Sequence, residues 1–125
     1  EFRRVLFRSR IRHLPGIYSS EKGSKMEAER QSINAPVQGF IGDFKAMAMV
    51  EIHETVDRSK LKVVGEHHDA VLMIVKTSAK KEVLPKVAKI LKKPKLLKTL
   101  KINMSIPMES DLEVGNWGKG KVFEG

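Results

Sequence analysis

The 125-residue sequence contains no cysteine, few aromatic residues (6%) and no long apolar run. The absence of cysteine excludes disulfides and thiolate chemistry, so any metal site would need histidine or carboxylate ligands. No apolar run approaches the roughly 20 residues that a membrane-spanning helix requires, so we expect a soluble chain with no membrane partner. The apolar (41%) and charged (31%) fractions are typical of a globular protein, and the length suits one domain.

Positive charge is in excess, with a formal net charge of +9 at pH 7 and a pI near 9.9. This balance favours a polyanionic partner, because lysine and arginine that neutralise phosphates release condensed counterions. Composition alone does not distinguish nucleic acid from an anionic membrane surface. The nine lysines between Lys80 and Lys101 also suit the solvated face of an amphipathic helix. The apolar face of that helix would hold Val83, Leu84, Val87, Ile90 and Leu91.

Residues 1–9 (EFRRVLFRS) match, residue for residue, the translation of a common sequencing-library adapter. They are too short and too rich in arginine for a secretory leader. We therefore assign residues 1–9 to a non-native, adapter-derived segment and residues 10–125 to the domain. The chain is accordingly expected to begin within a longer gene. Without the segment the chain keeps its excess of positive charge, so the expected polyanionic partner is unchanged.

From residue 10 onward the pattern predicts alternating helices and strands. Two helices are expected on either side of a break at Ala35-Pro36, because proline removes a helical hydrogen bond. Two strands flank residues 67–69, and Pro94 should end the lysine-rich helix. The predicted elements are an extended piece at 10–17, helices at 25–34, 36–54 and 80–93, and strands at 61–64, 71–75 and 106–114. They predict an α+β fold, an antiparallel sheet with helices packed on one face.

Arg30, Asn34 and Gln38 stand at i, i+4 and i+8, which aligns them on one helical face unless the predicted break displaces Gln38. Such a row of donors could sense a base pair from the minor groove, where every pair presents acceptors at nearly equivalent positions. A polar, solvent-facing stripe explains the same spacing and, on spacing alone, is the simpler interpretation.

GEHHDAV, residues 65–71, places His67, His68 and Asp69 at the tip of the predicted hairpin. Aspartate is common in turns for geometric reasons alone. A catalytic zinc site would need three protein ligands, and neighbouring histidines on a strand point to opposite faces. Mg²⁺ takes one or two carboxylates plus substrate phosphates, which suits Asp69 if a second acid and a phosphate substrate are supplied.

Together these segments resemble the C-terminal palm region of family A DNA polymerases, the bacterial repair-polymerase and phage replicative group. The matching residues are Arg10 with LPGI at 14–17, AERQSINAPVQG at 28–39, HHDAV at 67–71 and VGNW at 114–117. The second block is the most specific, because ER, IN, P and QG agree in identity and spacing. The order and separation of the four blocks also agree, and the resemblance covers nearly all of residues 10–125.

The resemblance implies that Arg30, Asn34 and Gln38 contact the minor groove of the primer–template. It also implies that His68 lies near the primer terminus and that Asp69 binds the catalytic metal. The intact protein would be a DNA-directed DNA polymerase that uses Mg²⁺ and deoxynucleoside triphosphates. It would act in the cytoplasm of a bacterial or phage-infected bacterial cell.

The chain also departs from the family. Ala70 stands where the family usually has glutamate, and Glu66 where it often has glutamine. The family's other essential aspartate and its nucleotide-binding fingers residues lie upstream of this region, so the chain alone is expected to be inactive. Ala70 and the short lysine-rich helix favour a phage source.

Two other interpretations stay open. The chain could be a non-catalytic basic nucleic-acid-binding module in which Asp69 is only a turn residue. It could instead belong to a metal-dependent hydrolase that uses His67, His68 and Asp69. Mg²⁺-dependent primer extension would separate the polymerase from the binding module, and stoichiometric zinc would favour the hydrolase.

Overall fold

The computed structural model describes residues 3–5, 9–116 and 118–123. Part of the segment 1–9, which is predicted to be adapter-derived, and Trp117 of the VGNW block therefore lie outside the described residues. The chain divides into two compact units, Glu1–Phe44 and Lys45–Gly125. The elements are β1 Arg3–Val5, β2 Ile11–His13, a 3-10 turn Pro15–Tyr18, α1 Lys22–Thr55, β3 Leu61–His67, β4 Ala70–Val75, a 3-10 turn Thr77–Ala79, α2 Lys80–Lys92, α3 Leu96–Thr99, β5 Glu113–Val114 and β6 Lys121–Val122. Within the described ranges, no helix combines the length and the apolar character needed to cross a bilayer.

In the first unit, a short hairpin precedes the start of α1. β1 pairs antiparallel with β2, and the chain turns at Pro15, so that only Ile11–His13 of the extended piece predicted over 10–17 is a strand. Leu14 is buried between these two features. Arg10 forms an ion pair with Asp43 of α1, which ties the segment before β2 to the helix. The rings of Phe40 and Phe44 pack at 6.3 Å between centroids.

The predicted break at Ala35-Pro36 is wrong, because α1 runs without interruption from Lys22 to Thr55 with Pro36 inside it. Proline in a helix interior removes one hydrogen bond and crowds the carbonyl four residues earlier, here that of Ser32. The free-energy cost of Pro36 is confined to one turn of the helix. The helical turns on both sides bury apolar side chains such as Ala28 and Phe44, and this burial stabilises the continuous helix. The end of the helix near residue 54 is confirmed.

The core of the second unit joins one face of the β3–β4 hairpin to α2 and the C-terminal part of α1. Helical periodicity in α2 places its apolar side chains on one face, as predicted. Alternation along the hairpin turns Val63 and Met73 inward, whereas Ile74 faces solvent. The buried cluster comprises Ala48, Ile52, Val56, Leu61, Ala79, Val83, Val87 and Ile90.

The α+β class with antiparallel strands is confirmed, and helices pack on one face of β3–β4. Among the described residues the strands pair as three two-stranded ladders rather than as one sheet. The strand predicted over 106–114 is wrong in extent, since only Glu113–Val114 is a strand. Pro107 lacks the backbone donor that a ladder needs. The predicted alternation survives, because Met108, Leu112 and Val114 are half-buried, whereas Asp111 and Glu113 are exposed.

Candidate functional site

The predicted hairpin tip is confirmed as a loop of His68 and Asp69 between strands that close with the pair His67↔Ala70. His68 has a φ of 51°, and Asp69 has a negative one. Tight two-residue hairpin loops need positive φ at their first position because the strands twist. Histidine is one of the few residues other than glycine that adopt positive φ with some frequency. The loop therefore turns Asp69 out at the end of the hairpin.

The two histidines of the tip contact each other. Their ring centroids are 4.2 Å apart and the rings are nearly perpendicular, at 82°. The expectation that they point to opposite faces is wrong, because His68 lies in the loop and its positive φ takes it out of strand geometry. Edge-to-face contact of this kind fixes the orientation of the rings relative to each other.

Lys45, at the start of the second unit's part of α1, reaches the tip. Its Nζ donates a 2.8 Å hydrogen bond to the carbonyl oxygen of His68 and lies 2.8 Å from Oε2 of Glu66. The Lys45 side chain is 17% exposed, whereas its partner Glu66 is 56% exposed. Sequence analysis missed Lys45, since nothing in its spacing distinguishes it from any other lysine of a helix. The signal that could have pointed to a basic partner was Glu66, a charged residue where the family often has glutamine.

Asp69 is exposed, and within the described part of the chain its carboxylate has neither a hydrogen bond nor an ion pair. An accessible carboxylate without a partner can accept a hard cation, so the tip fits a contribution to a Mg²⁺ site. Among the described residues, no three histidine, aspartate or glutamate side chains converge to hold a metal. Asp69 would thus need further ligands, such as substrate phosphates or another carboxylate.

In the first unit, Arg30, Asn34 and Gln38 lie exposed along α1. Because the helix is continuous, Gln38 keeps its place in the row, and the three side chains share one face. Arg30 donates to Glu27 at 2.6 Å, and Gln31 donates to the same carboxylate at 3.2 Å. The bond from Gln31 and the pairing with Arg30 hold the pKa of Glu27 below its usual range. Arg30 is 69% exposed, so a stronger anion could take it from Glu27.

The lysines of α2 and the following segment form the basic face, defined as Lys81, Lys86, Lys89, Lys92, Lys93, Lys95, Lys98 and Lys101, all exposed. Glu82 is the acid within this stretch, and two hydrogen bonds from Lys60, at 2.8 and 2.9 Å, occupy it. Those bonds lower the pKa of Glu82 and raise the pKa of Lys60. Most of the positive charge of this face is therefore not neutralised locally.

The predicted residues fall into two groups. His68 and Asp69 meet at the hairpin tip in the second unit, and Arg30, Asn34 and Gln38 share a helix face in the first.

Comparison with known proteins covers almost the whole chain. Residues 4–119 match the pattern of DNA polymerase family A. The chain is 29% identical over 122 residues to DNA polymerase theta of Drosophila melanogaster, covering 90% of this chain and 6% of that protein. It is 30% identical over 116 residues to the DNA polymerase of Bacillus phage SP01, covering 90% of this chain and 12% of that protein. The chain thus spans a small part of the length of these relatives.

A solved structure has the same fold. The POL domain of Pol1 from M. smegmatis, in complex with DNA primer–template and dNTP, superposes with a TM-score of 0.67 at 23% identity. The match covers 86% of this chain and 18% of the other.

Proposed function

Because this chain belongs to DNA polymerase family A, we propose that it forms the C-terminal part of the palm of a DNA-directed DNA polymerase. The observation that carries the proposal is the hairpin tip, which presents the unpaired carboxylate of Asp69 at the end of a tight loop. The phage and bacterial relatives support action in the cytoplasm of a bacterial or phage-infected bacterial cell. Primer–template DNA and deoxynucleoside triphosphates are the proposed partners.

Asp69 is the proposed protein ligand of catalytic Mg²⁺. When bound, metal ions supply the positive charge that stabilises the attacking and leaving oxygens of an in-line phosphoryl transfer. Asp69 holds negative charge at a fixed point for this purpose, and His68 provides a ring beside it for the primer terminus. A single carboxylate cannot hold two metal ions. We therefore infer that the 125 residues alone do not catalyse the reaction and that a further carboxylate of the polymerase completes the site.

Arg30, Asn34 and Gln38 are proposed to contact the minor groove of the primer–template. Their exposure and their shared helix face support this role, since donors in a row can reach acceptors that all base pairs present. The basic face of the second unit adds a phosphate-attracting charge that is independent of base sequence.

The decisive experiment replaces Asp69 by asparagine in the intact polymerase that carries this chain. Asparagine keeps the size of the side chain and is equally at home in a turn, but it removes the charge that attracts Mg²⁺. We expect single-turnover extension to fall by at least about 10²–10³, the scale of losing one preorganised transition-state contact. Primer–template affinity should change far less, because lysine and arginine supply most of it.

Asp57→Asn is the matched control. Asp57 is also an exposed turn aspartate, and it accepts a 2.9 Å hydrogen bond from the backbone N–H of Ser59. The Asp57→Asn variant should extend primers at the rate of the parent polymerase. Near-normal extension by Asp69→Asn would contradict the catalytic role and leave the alternative of a basic, non-catalytic nucleic-acid-binding module.

A further inference from the structure

The end of the β3–β4 hairpin has little of its own to hold it in place. The loop residues and the last strand pair, His67 and Ala70, are all exposed. The ladder is also interrupted nearer its base, where Val64 bulges out of register between the pairs Val63↔Met73 and Gly65↔Leu72. A bulge disrupts the ladder locally and increases the twist, so the outer part of the hairpin is less firmly fixed than its buried base.

Lys45 supplies the tie that the hairpin lacks. Its ammonium group contacts the carbonyl oxygen of His68, the residue directly before Asp69 and the one with positive φ. It also contacts Glu66, two residues before His68 on β3. One side chain of a long helix therefore holds both the strand that enters the loop and the loop itself.

The ammonium group of Lys45 is engaged in both of these contacts. The Lys45 side chain is 17% exposed, and the carboxylate of Glu66, 2.8 Å from its ammonium group, compensates its charge. Lys45 is thus suited to hold the tip and not to bind phosphate.

We propose that Lys45 is a positioning residue that fixes the hairpin tip so that Asp69 is preorganised for its metal ion. The inference rests on the proposed function, because it gives Lys45 its role through Asp69. Groups that orient metal ligands without touching the metal commonly contribute about 10–100-fold to metal affinity or activity. Lys45 would act in this way through the backbone of His68.

The test compares Lys45→Met, Lys45→Arg and Lys62→Met in the intact polymerase bound to primer–template. Methionine keeps the apolar stem of Lys45 but removes the donor, whereas arginine restores a charged donor. Lys62, an exposed lysine of β3, is the matched control for losing a positive charge from the same unit. Binding of Mn²⁺, which prefers the same oxygen ligands as Mg²⁺, is measured by electron paramagnetic resonance. Hydrogen exchange of the peptide containing residues 65–71, the melting temperature, DNA affinity and single-turnover extension are measured on the same proteins.

We expect Lys45→Met to weaken Mn²⁺ binding roughly tenfold or more, on the scale of lost ligand-orienting contacts, and to accelerate exchange at the tip. DNA affinity should stay within about twofold, since phosphate contacts are untouched. Lys45→Arg should recover most of the loss, and Lys62→Met should behave as the parent. Unchanged Mn²⁺ affinity in Lys45→Met, or a loss that Lys62→Met reproduces, would overturn the proposal.

Two further variants keep the outcome interpretable. If Lys45→Met does not fold, Glu66→Gln removes one of the two contacts of Lys45 without creating a cavity, and should weaken Mn²⁺ binding by less than the roughly tenfold loss expected from Lys45→Met. No change in Glu66→Gln would then overturn the proposal. Asp69→Asn distinguishes the two levels of inference. If Asp69→Asn abolishes extension while Lys45→Met binds Mn²⁺ normally, only the positioning role of Lys45 fails. If the Asp69→Asn polymerase extends primers normally, the proposed function fails.

Discussion

Glu51 is the one charged residue in the buried set of the described chain, at 8% exposure, and we expect its replacement by alanine to destabilise the protein strongly. Its carboxylate accepts a 2.6 Å hydrogen bond from the backbone N–H of Lys95, at the start of α3. Pro94 and Leu97, on either side of that bond, are almost fully buried. The bond therefore ties α1 to the segment that follows α2.

The magnitude follows from the type of bond. A hydrogen bond to a charged group contributes about 1.5–3 kcal/mol, and its loss leaves the partly buried N–H of Lys95 without its acceptor. We therefore expect Glu51→Ala to lower the free energy of unfolding by about 2 kcal/mol or slightly more. With an unfolding entropy of about 2.1 cal/mol/K per residue, 2 kcal/mol corresponds to a drop of about 8 °C in melting temperature for a chain of this length.

The assay is thermal and urea unfolding of three variants. Glu51→Gln keeps an acceptor oxygen but not the charge, and should lose about half as much free energy as Glu51→Ala, because neutral hydrogen bonds contribute about 0.5–1.5 kcal/mol. Glu54→Ala, an exposed glutamate of the same helix, should stay within about 0.5 kcal/mol of the parent. A loss in Glu51→Ala no larger than that in Glu54→Ala would refute the stabilising role of this bond.

Three other outcomes are expected. Arg30→Ala or Gln38→Ala in the intact polymerase should weaken extension, most of all past a mismatched primer end, because a donor to shared minor-groove acceptors is lost. Extension unchanged from the parent on both matched and mismatched primers would contradict this. Deletion of residues 1–9 should leave the melting temperature unchanged within error, since the three-pair ladder of β1 and β2 is marginal by itself; a large drop would show native packing. The Lys60–Glu82 pair should stabilise the fold only between two pH limits: its contribution is lost as pH falls through the lowered pKa of Glu82 and as pH rises through the raised pKa of Lys60, and Glu82→Gln should remove this dependence from pH-resolved unfolding curves.

Periodic patterns predicted the second unit well. The alternation around Val63 and Met73 and the helical spacing of Val83 and Val87 reflect burial on one face, and burial is the property that sequence periodicity reports. The hairpin tip was predictable for the same reason, because two apolar runs flank a short polar segment. The packing of one hairpin face against two helices then follows from the need to cover those apolar side chains.

Local rules failed where the surrounding structure outweighed them. Proline lacks a backbone N–H, so Pro36 predicts the end of a helix. The segments on both sides of Pro36 are helix-forming, however, and the helix continues with the loss of one hydrogen bond. His67 and His68 would face opposite sides in an extended strand, and a single positive φ was enough to bring the rings together. In both cases a rule for the isolated residue or strand was outweighed by the conformation of the neighbouring chain.

Contacts between distant segments were the least predictable. The bond from Lys45 to the His68 carbonyl joins residues 23 positions apart, and that from Lys95 to Glu51 joins residues 44 apart. Neither has a periodic signature, because each depends on how helix and hairpin, or helix and loop, lie against each other. The family resemblance located Asp69 but gave no information on what holds it.

The charge arrangement of the tip explains why Asp69 has no substitute nearby. Two carboxylates lie in the segment 65–71, and Lys45 engages that of Glu66. Position 70, where the family usually carries a third, is alanine. A cation at the tip therefore meets one uncommitted carboxylate from this segment, that of Asp69. If Glu66 were free, it could partly replace a lost Asp69 and blur the outcome of mutation. Because Lys45 occupies it, the neutral Asp69→Asn leaves no uncommitted negative charge on the hairpin tip, and the size of the loss reports the contribution of Asp69 alone.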